Sequence, residues 1–443
     1  MLLEFKTKNY KSFTDEISFS MIAAPKQKGL DYSLFLEKIN KKKIKGLCSS
    51  VIYGPNAAGK TNVIGAMDTL RSIILRGSIK NSEEKNQANP AANELELIPN
   101  NNCNRMCPVE FFIDFIEEDI RFQYKLIIEI GTFLETNYPR KISYEELHVN
   151  EEVVFSRKYN NLSLGDLQSI EKYRINMTKL NDNSAIDIAE NSLSDDELFL
   201  TNGFKLIFSQ NLVKIITDWF TVKLMTICHA DYMKLIHKFS DPKNRTAYIN
   251  KKTNEAAKLL GANSNAIGYV YSDDSPEPKL CSLFKDDKKD KTFAIAVEMF
   301  ESYGTIRFVN LFPLIIVALK TGGTLIVDEF DASIHPMALM SIINVFHNDD
   351  ININHAQLIF NTHNPIFLNS NLFRRDEIKF VERDDDTHAS AVYSLADFGT
   401  TGEKGVRKHE DYLKNYFISK YGAIRDIDFT PIFEEMLSEG SEV

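Results

Sequence analysis

The sequence predicts an α/β fold: a parallel sheet carrying a phosphate-binding loop, joined to an antiparallel β lobe and interrupted by a helical insertion. Three stretches predict it. Gly54-Pro55-Asn56-Ala57-Ala58-Gly59-Lys60-Thr61 fits G-x-x-x-x-G-K-[ST], between an apolar stretch ending in Val51-Ile52-Tyr53 and a helical pattern opening at Asn62. Thr324-Leu325-Ile326-Val327 is a second apolar run and ends in Asp328-Glu329. Gln357-Leu358-Ile359-Phe360 is a third and ends in Asn361-Thr362-His363. In a parallel sheet the C-terminal ends of the strands share one edge, where ligands bind.

That edge predicts the chemistry. Gly54 and Gly59 permit the tight backbone path of the loop. Its N–H groups and the following helix N-terminus then face phosphate anions. Gly54, Asn56, Gly59, Lys60 and Thr61 are the expected nucleotide contacts, with Lys60 reaching the β/γ-phosphates and the Thr61 hydroxyl on Mg²⁺. Asp328 is placed to hold Mg²⁺ directly or through a water. Glu329 is placed to take a proton from the attacking water. Phosphoryl transfer is mostly positioning and charge neutralisation, so Lys60, Mg²⁺ and Asp328 carry most of the expected rate. His363 is expected to sense or stabilise the γ-phosphate. ATP and Mg²⁺ are thus the expected substrate and cofactor. His335 reads as a residue that shapes its turn or touches a second subunit.

The remaining elements follow in order. Residues 2–10 and 16–21 read as strands with Lys11-Ser12-Phe13 between them. Residues 25–46 are polar and lysine-rich and read as a surface loop. The helix after the P-loop runs to about Arg76. Residues 77–107, rich in Asn and holding Pro90 and Pro99, read as a flexible loop. Strands at 109–115, 121–130, 141–147 and 153–157 suggest an antiparallel meander. From 160 to 290 the pattern is polar and helical, with 206–224 and 255–260 the better helices. Residues 293–300 read as helix or strand. A helix at 306–320 follows, stopped by Gly322-Gly323. The tail holds strands at 378–382 and 391–395 and a helix at 412–421. Three regions result: 1–160 with the P-loop and meander, 161–290 as the helical insertion, and 291–443 with the acids and histidine.

Composition bounds the rest. The chain has 443 residues, 43% hydrophobic and 26% charged, as in soluble globular proteins. Its net charge of -10 argues against a protein coated with nucleic acid. Cys48, Cys103, Cys107, Cys228 and Cys281 make no zinc pattern and no even disulfide framework, so free thiols in a reducing cytosol are expected. Met1-Leu2-Leu3-Glu4-Phe5-Lys6 starts directly in a strand-like alternation, and no signal peptide is expected. The apolar run 308–319 is too short for a bilayer and contains Pro313.

These motifs, in this order, resemble the ABC-type ATPase heads of the SMC, RecF and OLD lineage. The matching parts are the P-loop at 54–61, Glu301-Ser302-Tyr303-Gly304-Thr305 before a helix, Asp328-Glu329, residues 331–336 as a D-loop, and Thr362-His363. Asn9-Tyr10-Lys11-Ser12-Phe13, with Tyr412-Leu413 and Tyr421-Gly422-Ala423-Ile424, narrow the resemblance to stand-alone bacterial ATPases of the RloA, AbiL and AriA type, found in phage-defence operons. The resemblance covers 1–160 and 290–425. It implies an ABC-type head, a P-loop NTPase, that sandwiches ATP in a homodimer or higher homo-oligomer. Ser302 and Gly304 would touch the γ-phosphate in trans, and Lys11 and Ser12 would line the nucleotide in cis. The usual Leu-Ser-Gly-Gly signature is absent, as in the stand-alone relatives. No Q-loop glutamine is placed; Gln123 falls in an expected strand.

Two functions are weighed. The first is an ATP-hydrolysing regulatory subunit of an anti-phage system, abortive-infection or toxin–antitoxin-like. It would sense a phage product or DNA and control a separate TOPRIM-like effector. The 80 residues after His363 are too few for a TOPRIM domain beside the strands the ATPase needs, so no nuclease is expected in this chain. Asp384-Asp385-Asp386 reads as a solvated turn. The second is a RecF/SMC-like repair ATPase on DNA. Lys41 to Lys43, Lys285, Lys288 and Lys289 offer phosphate contacts for it, but acids are interleaved with them. A transporter subunit is disfavoured, since the sequence has no usual signature and no membrane-facing apolar stretch.

Overall fold

The computed structural model describes residues 1–25, 27, 29–39, 42–80, 95–103, 106–133, 140–165, 182–207, 210–228, 246–272, 275–286, 291–401, 405–407 and 409–439. Two sheets organise them. The first has the strand order Leu224–Ile227, Thr324–Val327, Gln357–Asn361, Ser49–Tyr53, Ile378–Arg383, Ser390–Ser394. All pairs are parallel except the last, a hairpin. Thr324–Val327, Gln357–Asn361 and Ser49–Tyr53 are buried at every position. They read as unbroken apolar runs because a parallel sheet is covered on both faces. Register places Val327 beside Phe360 and Phe360 beside Val51, so the strands end together.

The second sheet is antiparallel, in the order Asn161–Leu164, Glu152–Lys158, Lys141–Val149, Ile120–Glu129, Val109–Glu117, Leu2–Lys8, Ile17–Ser20. Here burial alternates, most regularly along Ile120–Glu129. One face is core and the other is wetter, which is the period-2 signature of the sequence. Helix Lys60–Arg76 lies in the main core and buries Val63, Met67, Leu70 and Ile74 in one cluster with Phe111, Phe122 and Leu126. Trp219 stacks on Phe115 in the same cluster, ring centroids 3.9 Å apart. Each such side chain, fully buried, contributes about 1.5–3 kcal/mol.

Several expectations are corrected. In its described residues the segment 161–290 is mixed rather than helical: besides helices Asp182–Ser192, Gln210–Asp218 and Lys251–Leu259 it contains a small antiparallel sheet of Thr246–Tyr248, Ala266–Ser272 and Ser275–Asp286, completed by Lys291–Ala296. Ile267, Tyr269 and Leu280 share a buried cluster with Val309. Of the expected helix 206–224, the described residues up to Asp218 are helical, in Phe204–Ile207 and Gln210–Asp218; a wide turn Trp219–Lys223 follows, then strand Leu224–Ile227, which pairs with Thr324–Val327. Residues 25–46 are no simple loop: Leu34–Ile39 and Lys42–Leu47 form a hairpin, with Phe35 and Ile39 buried on Met1, Leu3 and Cys48. Asp286 pairs with Lys291 across a hairpin. Residues 287–290, with Lys288 and Lys289, lie outside the described residues, as do Lys41, Pro90 and most of the expected loop 77–107.

Helix Tyr303–Thr321 is longer than the expected 306–320. Among the described residues it is the one helix long and apolar enough to cross a membrane, by length and composition alone. Its Phe308, Leu311, Ile315 and Ala318 pack into the core of the parallel sheet. The tail helix is Tyr412–Phe417, shorter than expected.

Candidate active site

The P-loop leaves strand Ser49–Tyr53 at the C-terminal edge of the parallel sheet and enters helix Lys60–Arg76 through Gly59. Gly59 sits at φ 107, and a Cβ there would meet Ser12 Oγ at 2.7 Å, so no other residue fits. No side chain caps this helix. Its first N–H groups are therefore left for a ligand. The buried Lys60 ammonium donates to the carbonyls of Gly54 and Pro55 at 2.8 and 2.9 Å. Burial lowers its pKa to about 8, against the pull of Asp328, Glu329 and Asp331.

The acids arrive from the neighbouring strand. Thr61 Oγ1 donates to Asp328 Oδ1 at 3.1 Å. Asn361 Nδ2 donates to the same oxygen, and Asn361 Oδ1 accepts from the Glu329 N–H. Glu329 has a left-handed backbone, φ 48, uncommon for a residue with a side chain. Arg307 also holds the turn: its Nη2 donates to the carbonyls of Asp328 and Glu329 at 3.1 and 2.5 Å. Arg307 Nε is buried and has no hydrogen-bond partner.

These groups border a cavity of about 720 Å³. Of the residues expected from sequence, Lys11, Ser12, Asn56, Gly59, Lys60, Thr61, Glu329 and His363 line it. Asp328 joins it through Thr61, and Gly54 through the Lys60 bond. Ser12 Oγ accepts from Asn62 Nδ2 at 2.8 Å, and Lys11 Nζ pairs with Glu96 at 2.6 Å. His363 stands exposed on the rim. Partial burial and then Lys60 lower its pKa, against the pull of Asp331, Glu329 and Asp328.

Ser302 and Gly304 are not among the cavity-lining residues. Ser302 is exposed and caps helix Tyr303–Thr321, its Oγ accepting from the Thr305 N–H at 3.1 Å. A Cβ on Gly304 would meet the Ser333 carbonyl oxygen at 2.1 Å, so the helix start is pressed against the turn after Glu329. His335 shapes its turn: its Nδ1 accepts from the Met337 N–H at 3.2 Å. Gln123 bonds Asp114 in the antiparallel sheet. Asp384 caps its own turn through Thr387 at 2.7 Å.

Other residues at the site were missed, Ile98, Pro99, Asn101 and Phe133 on the cavity wall among them. Asn361 and Arg383 line the cavity from the ends of parallel strands. The strand-end logic that selected His363 selects them too. Arg307, on a helix after Ser302, carries no comparable signal.

The donor set fits a nucleotide with magnesium. An uncapped helix N-terminus and a buried lysine bonded to its own loop's carbonyls suit phosphate, and a hydroxyl and carboxylate 3.1 Å apart suit a hard cation. Among similar solved structures are the "SMC head domain from Thermotoga maritima", 12% identical, TM-score 0.34, covering 89% of this chain and 98% of that one. Another is the "SmcHead bound to the C-winged helix domain of ScpA", 12% identical, TM-score 0.38, covering 89% and 97%. No curated protein sequence matches this one. The family described as "AAA domain, putative AbiEii toxin, Type IV TA system" matches residues 49–369, most of the chain and all of the P-loop and acid-bearing strands; the chain belongs to that family of P-loop ATPases.

Proposed function

We propose that this chain is an Mg²⁺-dependent, ATP-hydrolysing regulatory subunit of an anti-phage defence system, abortive-infection or toxin–antitoxin-like, that controls a separate TOPRIM-like nuclease effector. It works in the cytosol as a homodimer or higher oligomer and answers to a phage product. The observation that supports it most is the convergence of Lys60, the Thr61–Asp328 pair and Glu329 on one cavity. The family description, which names an AbiEii toxin and a type IV toxin–antitoxin system, supports the defence setting.

Lys60 exchanges the Gly54 and Pro55 carbonyls for phosphate oxygens, which restore its full charge. Thr61 and Asp328 would hold Mg²⁺, which when bound would neutralise phosphate charge and orient the transferred group. Glu329 takes the proton of the attacking water as the bond from the terminal phosphorus to ADP breaks and the new P–O bond forms. His363 hydrogen-bonds to phosphate at the rim. Asn361 and Arg307 hold the Glu329 backbone, the first at its N–H and the second at its carbonyl. Ser302, exposed, and Gly304, half-buried, both outside the cavity, meet the nucleotide of a second copy.

Two measurements test the proposal. Phosphate release should require Mg²⁺ and stay unchanged when duplex DNA is added at low salt; strong stimulation by DNA would favour the repair reading. Cultures carrying the intact system should resist phage added at low multiplicity, and Lys60→Ala should remove that protection. Protection that survives Lys60→Ala refutes the regulatory role.

A further inference from the structure

After Ala423 the chain leaves the body of the molecule. Ala423 is buried; its N–H donates to Glu382 Oε1 at 3.2 Å and its carbonyl accepts from the Tyr416 hydroxyl at 2.9 Å. From Arg425 to Ser438 every residue is exposed. Helix Thr430–Glu439 lies in this stretch. Ile432, Phe433, Met436 and Leu437 recur at i, i+1, i+4 and i+5 and share one face, which Phe429 extends by a turn. They are 55, 60, 64 and 74% exposed, and Phe429 is 60% exposed. Glu434, Glu435 and Ser438 take the other face. An isolated helix this short is marginal in water, so its apolar face calls for a cover.

Charge selects the cover. Asp426, Asp428, Glu434 and Glu435 flank the apolar residues, and the base in the stretch, Arg425, is paired with Asp385 at 3.2 Å. Anionic lipid and nucleic acid are repelled by such a face. A second copy brings a chain of net charge -10, again of the same sign. We propose that helix Thr430–Glu439 docks, apolar face inward, into an apolar groove rimmed by Lys and Arg on the separate effector protein. This rests on the reading above that such an effector exists. The attachment points give the helix a line to the site. Glu382, which holds Ala423, directly precedes Arg383, which lines the nucleotide cavity.

The test is co-expression of the full chain with the protein encoded beside it, followed by size-exclusion chromatography with light scattering and by amide hydrogen exchange. The wild type should form a complex in which amides 430–439, fast-exchanging in the chain alone, become protected. Phe433→Asp with Leu437→Asp should abolish the complex and leave ATP turnover unchanged. Glu434→Lys with Glu435→Lys should weaken it by roughly tenfold or more. A complex that survives Phe433→Asp with Leu437→Asp overturns the docking proposal and leaves the effector reading standing. A wild type that forms no complex overturns both. Self-association that this double variant dissolves assigns the helix to a second copy and also overturns the proposal.

Discussion

Two helix N-termini in this chain are finished in opposite ways. Helix Lys60–Arg76 begins at a glycine, has no side-chain cap and opens into the cavity. Helix Tyr303–Thr321 is capped by the Ser302 hydroxyl and presents that serine to solvent. The first leaves its N–H groups for an anion in its own chain. The second is a finished surface, available to another molecule. They are not independent. Gly304 presses on the Ser333 carbonyl, and Arg307, on the same helix, bonds the carbonyls of Asp328 and Glu329. Whatever touches the outer helix start is thus tied to the acids at the inner one.

The comparison can be broken or sharpened by substitution, beginning with the largest expected effect. Lys60→Ala removes the cation of the inner end. Turnover should fall by roughly a thousandfold or more, read as phosphate release, with ATP binding lost by calorimetry. Intact turnover would remove the P-loop assignment. Glu329→Gln keeps the size and loses the base. Hydrolysis should slow by about 10²–10⁴-fold while ATP stays bound in a filter assay; normal hydrolysis removes Glu329 from its role.

Arg307→Met tests the tie between the two ends. kcat should drop by roughly 10–100-fold, the size expected for two charge-assisted hydrogen bonds, with KM nearly unchanged and partial rescue by Arg307→Lys. Loss confined to thermal stability, with kcat intact, would make Arg307 merely structural. The smallest effect is in pH. Free Lys60 loses its proton near pH 8, and bound phosphate favours the charged form. Below pH 8 binding needs no proton. Above it binding takes one up, so ATP affinity should fall by up to about tenfold per pH unit. Lys60→Arg should flatten that slope.

What could be read from sequence followed the same division. The inner end was legible because its chemistry is local: eight consecutive residues define the loop, and two acids close an apolar run. Asn361 and Arg383 were legible in principle, since a parallel sheet gathers its strand ends. Arg307 was not, because its bonds depend on how helix Tyr303–Thr321 lies across the turn after Val327, a tertiary fact. The insertion failed for a different reason. Ala266-Ile267-Gly268-Tyr269-Val270-Tyr271 does carry the β-branched and aromatic residues of a strand, a local signal the helical reading passed over, and its Ile267 and Tyr269 share a cluster with Val309. Leu224–Ile227 became a strand because an edge of the parallel sheet was open beside Thr324–Val327. At Leu224–Ile227 tertiary context overrode a local pattern.

The most direct test of the shared-site account is to mix two dead variants. Lys60→Ala spoils the inner end and Ser302→Arg the outer one. Each alone should be inactive. In a mixed dimer, the intact Lys60 of one copy meets the intact Ser302 of the other, which restores one site. An equimolar mixture should therefore recover roughly a quarter of wild-type turnover, for random pairing of independent sites in a two-fold dimer. A mixture that stays inactive while the variants are shown to exchange subunits would contradict a site completed by a second copy.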